Sequence, residues 1–155
     1  MNEPSAVVKE RLSVMDEAVR EAIVRRMSEE PFANKLGIRL VAIEAGYSKV
    51  RMEVTSEMEN LCGMAHGGAV FALADAAFET ASNSHGTVAV ALSMTITYLA
   101  ASSAGAVLVA EATEVNRTRK TACYDIRVHD GDEKLIAMCQ ATVYRKETPL
   151  PYLGV

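Results

Sequence analysis

The chain has 155 residues, half of them hydrophobic, and a formal net charge of −4. That length fits one compact domain with a sizeable core. The acidic balance argues against nonspecific binding to nucleic acid or to an anionic membrane surface, and no run approaches the ~20 uninterrupted apolar residues of a membrane span.

The first segment, Met1 to Arg11, carries Pro4, Glu3 and Glu10 without an apolar core, so it does not read as a secretory signal. From Val7 to Met27, Val8, Leu12, Met15, Val19, Ile23 and Met27 recur at three-to-four spacing, which predicts an amphipathic helix. Pro31 ends it. Ile38 to Glu44 reads as a strand, Ala45-Gly46 as a turn, and Lys49 to Val54 alternates as a half-buried strand, together a hairpin. A loop from Ser56 to Ala65 leads to a helix over Gly67 to Ser82. That helix is apolar nearly all round and is expected to be buried. Gly86 stops it. Four β-rich runs follow: Val88 to Leu99, Ala106 to Val115, Thr121 to Val128 and Lys134 to Tyr144. Two strands, a buried helix and four more strands predict an α+β domain, its antiparallel sheet curled around the central helix. No proline lies between Phe32 and Thr148, so the interior reads as one folded unit. The expected division is an N-terminal helical extension over 1–30, the main domain over 31–147 and a tail over 148–155.

Cys62, Cys123 and Cys139 are odd in number and form no Cys-x-x-Cys pair, which favours a reducing cytoplasm. Three scattered histidines without a His-x-x-x-His spacing give no expected metal site. No Gly-x-Ser-x-Gly elbow, phosphate-binding glycine loop or dinucleotide fingerprint is present.

Asp75 stands alone as a charge within the run Ala69 to Phe78. A carboxylate among small apolar residues is costly to bury without compensation. Just upstream, His66-Gly67-Gly68 opens the same helix. Its first N–H groups lack internal partners and carry partial positive charge. Glycines there let a ligand approach the backbone, so the triplet is either an oxyanion site or simply a tight turn. Asp75 lies two turns beyond Gly67, about 12 Å along the axis. If both serve one reaction, they come from two chains, as a two-fold dimer would arrange.

Asn60, His66-Gly67-Gly68 and Leu73-Ala74-Asp75 together form Asn-x-x-x-x-x-His-Gly-Gly-x-x-x-x-Leu-Ala-Asp. This pattern resembles the hotdog-fold acyl-CoA thioesterases of the phenylacetate-degradation (PaaI-type) group. The likeness continues through Ala76-Ala77-Phe78, Ser82 to Gly86, Ile96 to Leu99 and Lys120 to Asp125, and covers roughly Phe32 to Tyr144. It implies a hotdog fold and hydrolysis of aryl- or medium-chain acyl-CoA without a cofactor. It also implies a homodimer assembling into a homotetramer. Asp75 would be the nucleophile or the general base, and Gly67 would donate its N–H to the thioester oxygen from the other chain. His66 would orient the loop, Asn60 would position thioester or water, and Ser93 would contribute as a serine does in some relatives. Gly68 belongs to the substrate-binding loop.

Arg117, Arg119 and Lys120 cluster at a predicted turn, either to hold the phosphates of coenzyme A or as a solvated hairpin tip. His85 is expected to cap the central helix at its C-terminus, Cys62 to pack as a small residue, and the methionines to fill core, with Met58 and Met64 as candidate acyl-pocket residues. Two other readings compete with hydrolysis. A hotdog dehydratase or hydratase would want a paired histidine and carboxylate. A non-catalytic acyl-CoA binding module would keep the pocket and lose the base.

Overall fold

Asp16 sets the start of the first helix. In the computed structural model, which describes residues 14–131 and 133–154, its carboxylate accepts from the N–H groups of Ala18 (2.9 Å) and Val19 (3.2 Å). This caps α1 (Glu17–Glu29). Val14 to Asp16 are not helical, so among the described residues the helix begins later than its apolar spacing predicts; Val7 to Leu12 lie outside them. The spacing does mark the inward face: Val19, Ala22, Ile23 and Met27 are buried. Pro31 is more than a stop. It occupies the first turn of a short second helix, α2 (Pro31–Lys35), where its missing N–H would have had no partner.

The hairpin forms as expected from β1 (Arg39–Glu44) and β2 (Tyr47–Glu53). Gly46 turns it with φ +76°, a left-handed conformation that a β-carbon would strain. A short 3₁₀ turn (Ser56–Met58) and a loop lead into α3 (Gly67–Asn83). Then come β3 (Thr87–Tyr98), β4 (Val107–Arg117), β5 (Thr121–His129) and β6 (Leu135–Pro149). The six strands form one antiparallel sheet in the order β1-β2-β4-β5-β6-β3. After α3, therefore, the chain returns to the far edge, and the sheet wraps the helix.

Alanines allow this wrapping. Leu73, Ala74, Ala77, Phe78 and Ala81 are at most 1% exposed, and their small size brings the helix close to the sheet. The Phe78 ring meets Tyr124 of β5 edge to face, 5.4 Å between centroids, a favoured aromatic geometry. One sheet layer covers only one side of a helix, however. Phe71 and Asp75 are half-buried and Glu79 is exposed. Spaced by four, they form a stripe turned away from the sheet. The expectation of a helix buried all round thus fails along that stripe.

β3 forms one edge of the sheet and pairs only with β6. Val90 and Leu92 on it are 40% and 60% exposed. β6 runs five residues past the predicted Tyr144, because Arg145 and Pro149 pair with Ala89 and Thr87 of β3. Helix α1 docks on the outside of β1. Met15, Val19, Ile23, Ile43, Ala45 and Leu150 make a second small core. The Arg20 guanidinium donates to the Ile43 carbonyl and to Glu44 (2.8 Å). Among the described residues no helix is long and apolar enough to cross a membrane. Replacing Phe78 by Ala should lower unfolding free energy by about 3–5 kcal/mol, read as a fall in denaturant midpoint with an unchanged m-value.

Candidate active site

The loop before α3 is built around one side chain. Asn60 Oδ1 accepts from the N–H groups of Cys62 (2.8 Å) and Met64 (3.2 Å), and the Asn60 N–H donates to the Met64 carbonyl (2.8 Å). Asn60 thus shapes the loop, and its amide nitrogen has no partner among the described residues. Cys62 is exposed, which corrects its reading as a packing residue: the loop holds it outward. The loop rejoins the body through His66 N–H on the Met58 carbonyl (2.7 Å) and Ala65 N–H on the Ser102 carbonyl (2.8 Å).

His66 is the N-cap of α3. Its Nδ1 accepts from Gly68 N–H at 2.8 Å, so a neutral ring carries its proton on Nε2. The next N–H, that of Gly67, has no acceptor among the described residues. It is the one donor at the head of a 17-residue helix left for a ligand, and the helix dipole favours negative charge there. The Tyr98 hydroxyl donates to the Gly67 carbonyl at 3.0 Å, and a β-carbon on Gly67 would lie 3.2 Å from the Tyr98 ring. Tyr98 therefore holds this glycine from the side, a role the sequence reading missed. A cavity of about 420 Å³ opens beside it, lined by Asn60, Met64, Gly67, Tyr98 and Ser102 among others. The Ser102 hydroxyl is buried and unpartnered among the described residues.

Asp75 projects from the open stripe of α3. Burial pushes its carboxyl above the ordinary aspartate range, and the charge of Glu30 pushes it further. Glu30 sits at the break between α1 and α2, and its reach to Asp75 had no signal in the sequence. Glu79 retains solvent contact in crowded surroundings. Its carboxyl is raised by burial, then by Glu30 and Asp75, while Arg26 opposes the rise.

Within one chain Gly67 and Asp75 remain on a continuous helix, two turns or about 12 Å apart. Ser93 lies exposed on the edge strand β3 and makes no hydrogen bond to Asp75 in this chain. The candidate catalytic residues around α3 therefore form two groups: Asn60, His66, Gly67 and Gly68 at its head, and Asp75 on its stripe.

The basic turn between β4 and β5 is present but already paired. Arg117 contacts Glu114 at 3.2 Å, and Arg119 and Lys120 reach Glu147 at 2.9 and 3.5 Å. Arg145, brought there by the longer β6, donates to the Thr118 carbonyl and adds a fourth cation. Water screens the pairs to the exposed Glu147, so an arriving phosphate can compete with it for Arg119 and Lys120. His85 does not cap α3. Its Nε2 lies 2.7 Å from Glu114, which also accepts from the Tyr124 hydroxyl at 2.8 Å. Burial alone would raise the Glu114 carboxyl; these two hydrogen bonds and nearby Arg117 hold it below its ordinary value.

One antiparallel sheet curled around a central helix describes a hotdog fold. Comparisons with known proteins agree. The thioesterase superfamily model matches residues 62–137. A putative esterase of Archaeoglobus fulgidus is 42% identical over 139 residues, 86% of this chain and 90% of its own. The acyl-coenzyme A thioesterase PaaI of Escherichia coli is 37% identical over 113 residues, 73% of this chain and 81% of its own. A solved structure of the Escherichia coli PaaI protein superposes with a TM-score of 0.83 at 31% identity, covering 87% of this chain and 98% of that one. A Streptococcus mutans protein solved with acetyl-CoA bound superposes with a TM-score of 0.70 at 29% identity, covering 73% and 91%. The chain belongs to the thioesterase superfamily, within its PaaI-type hotdog group, and is a thioester hydrolase.

The raised Asp75 carboxyl has a stability consequence. The folded state holds that proton to higher pH than the unfolded chain does. Stability is therefore full below the unfolded value, about 3.9, and falls as pH rises through the folded one. Asp75→Asn should accordingly melt higher than the native protein at pH 7, the gap closing by about pH 3. Thermal melts across pH measure it.

Proposed function

We propose that this protein hydrolyses aryl- or medium-chain acyl-CoA thioesters at a site shared between two copies of the chain. The observation that carries this is the unpartnered Gly67 N–H at the capped head of α3, two turns from the half-buried Asp75 on the same helix. The Gly67 N–H of one copy donates to the developing oxyanion of the thioester carbonyl. Asp75 of the other copy either takes a proton from water, which attacks the carbonyl carbon, or attacks it directly to give an anhydride that water then opens. Both routes expel the coenzyme A thiolate and leave the free acid. Asn60, with an amide N–H₂ to donate, positions the carbonyl or the water. Ser93 assists from β3.

Two further features support the shared site. The exposed edge of β3, with Val90 and Leu92 on it, offers unpaired backbone groups that a second copy can meet. The cations Arg119, Lys120 and Arg145 at one turn suit the phosphates of coenzyme A, and acetyl-CoA is bound in the Streptococcus mutans relative. A hydratase would need histidine poised with the carboxylate, whereas His66 has its Nδ1 committed to Gly68.

Incubation with a panel of acyl-CoAs, followed by free-thiol release, should show turnover that rises with pH as Asp75 ionises, with the midpoint above the ordinary aspartate value of about 3.9. Asp75→Asn should lower kcat by about 10²–10⁴-fold while remaining folded. Thiol release undiminished in that variant would refute the assignment.

A further inference from the structure

A second cavity, of about 270 Å³, lies where α1 and the C-terminal tail meet the far half of α3. Ile23 and Met27 of α1 form one wall and Tyr152 of the tail another. Arg25 ties the tail to α1 by donating to the Tyr152 carbonyl at 3.1 Å. The floor includes Glu79 of α3, which continues the open stripe one turn beyond Asp75. One turn is about 5.4 Å, the reach of roughly four carbon–carbon bonds at about 1.5 Å each. An acyl group whose carbonyl sits at Asp75 and whose chain follows the stripe toward Glu79 would reach this cavity once it passes a short-chain length. An apolar cavity of about 150 Å³ holds benzene, so the space admits an aromatic ring or a medium-length chain.

Three charges rim the cavity: Arg26, Glu30 and Glu79. Two carboxylates against one guanidinium leave it formally negative when all are ionised. Asp75, one turn away, adds to that sign. Burial and the charge of Glu30 already hold both the Asp75 and the Glu79 carboxyls above their ordinary ranges. Charges in crowded, partly desolvated surroundings interact more strongly than in bulk water.

From this we infer that the cavity is the acyl-end subsite of the thioesterase reading, on which the inference rests, and that its charged rim admits uncharged acyl groups and rejects those ending in a carboxylate. Hexanoyl-CoA and adipoyl-CoA test it directly, since they match in carbon count and differ only at the far end. The full chain should show a kcat/KM at least about tenfold higher for hexanoyl-CoA, an expulsion of like charge. Glu30→Arg changes the rim by two charges and should shrink that ratio about tenfold or more. Arg26→Gln removes the single cation and should widen it. Circular dichroism melts confirm that each variant is folded, and the opposite directions keep either one informative. Equal rates on both thioesters in the native protein, or a ratio unmoved in the folded variants, would overturn the subsite. A native protein that releases thiol from no acyl-CoA would instead refute the hydrolase assignment, and the subsite would fall with it.

Discussion

An α-helix rises about 1.5 Å per residue and does not bend to suit a reaction. That rigidity governs this molecule. Gly67 offers an unused N–H at the head of α3, and Asp75 presents a carboxylate two turns along. Groups that act on one carbonyl must each lie about 3 Å from its reacting atoms. The same helix that creates both groups keeps them apart. In our proposal a two-fold partner resolves this, because a symmetric pair of chains places each helix head near the other's stripe twice over. The sheet wraps one side of α3 and leaves the other open, so the stripe of Phe71, Asp75 and Glu79 remains available to meet such a partner.

The open stripe carries an energetic cost that a purely structural helix would avoid. Asp75 and Glu79 sit one turn apart in crowded surroundings, with Glu30 facing both, and all three carry the same sign. Removing such a charge should stabilise the fold, while in the proposed reaction Asp75 serves as a base of raised basicity. Sites often trade stability for chemistry in this way. Helix α1 joins the trade. It is anchored by its own small core and by Arg20 on β1, and the break after it sets Glu30 against α3.

Much of this was legible in the sequence. The period of two in the strands, the alanine-rich run of α3 and the glycine turns set the order of elements and a sheet around a helix. The spacing of Asn60, His66-Gly67-Gly68 and Asp75 marked the loop and the helix that carry them. Other features depend on tertiary placement. Among the described residues, the Asp16 cap starts α1 after Met15, a member of the same apolar period. β6 extends past Tyr144 because β3 is there to pair with it, which in turn delivers Arg145 to the basic turn. Tyr98 on Gly67, Glu30 on Asp75 and His85 on Glu114 join residues far apart in the chain. No local pattern announces such contacts.

The claim that Gly67 and Asp75 act from different chains is tested most directly by complementation. Gly67→Pro removes the candidate oxyanion donor at the first helical position, where proline is tolerated, and Asp75→Asn removes the base. Each variant alone should be nearly inactive. Mixed by co-refolding, half of the dimers are hybrids, and each hybrid retains one site with both native groups. A two-fold shared site then recovers about a quarter of native thioesterase activity. Hybrids confirmed by mass spectrometry that remain inactive would contradict it.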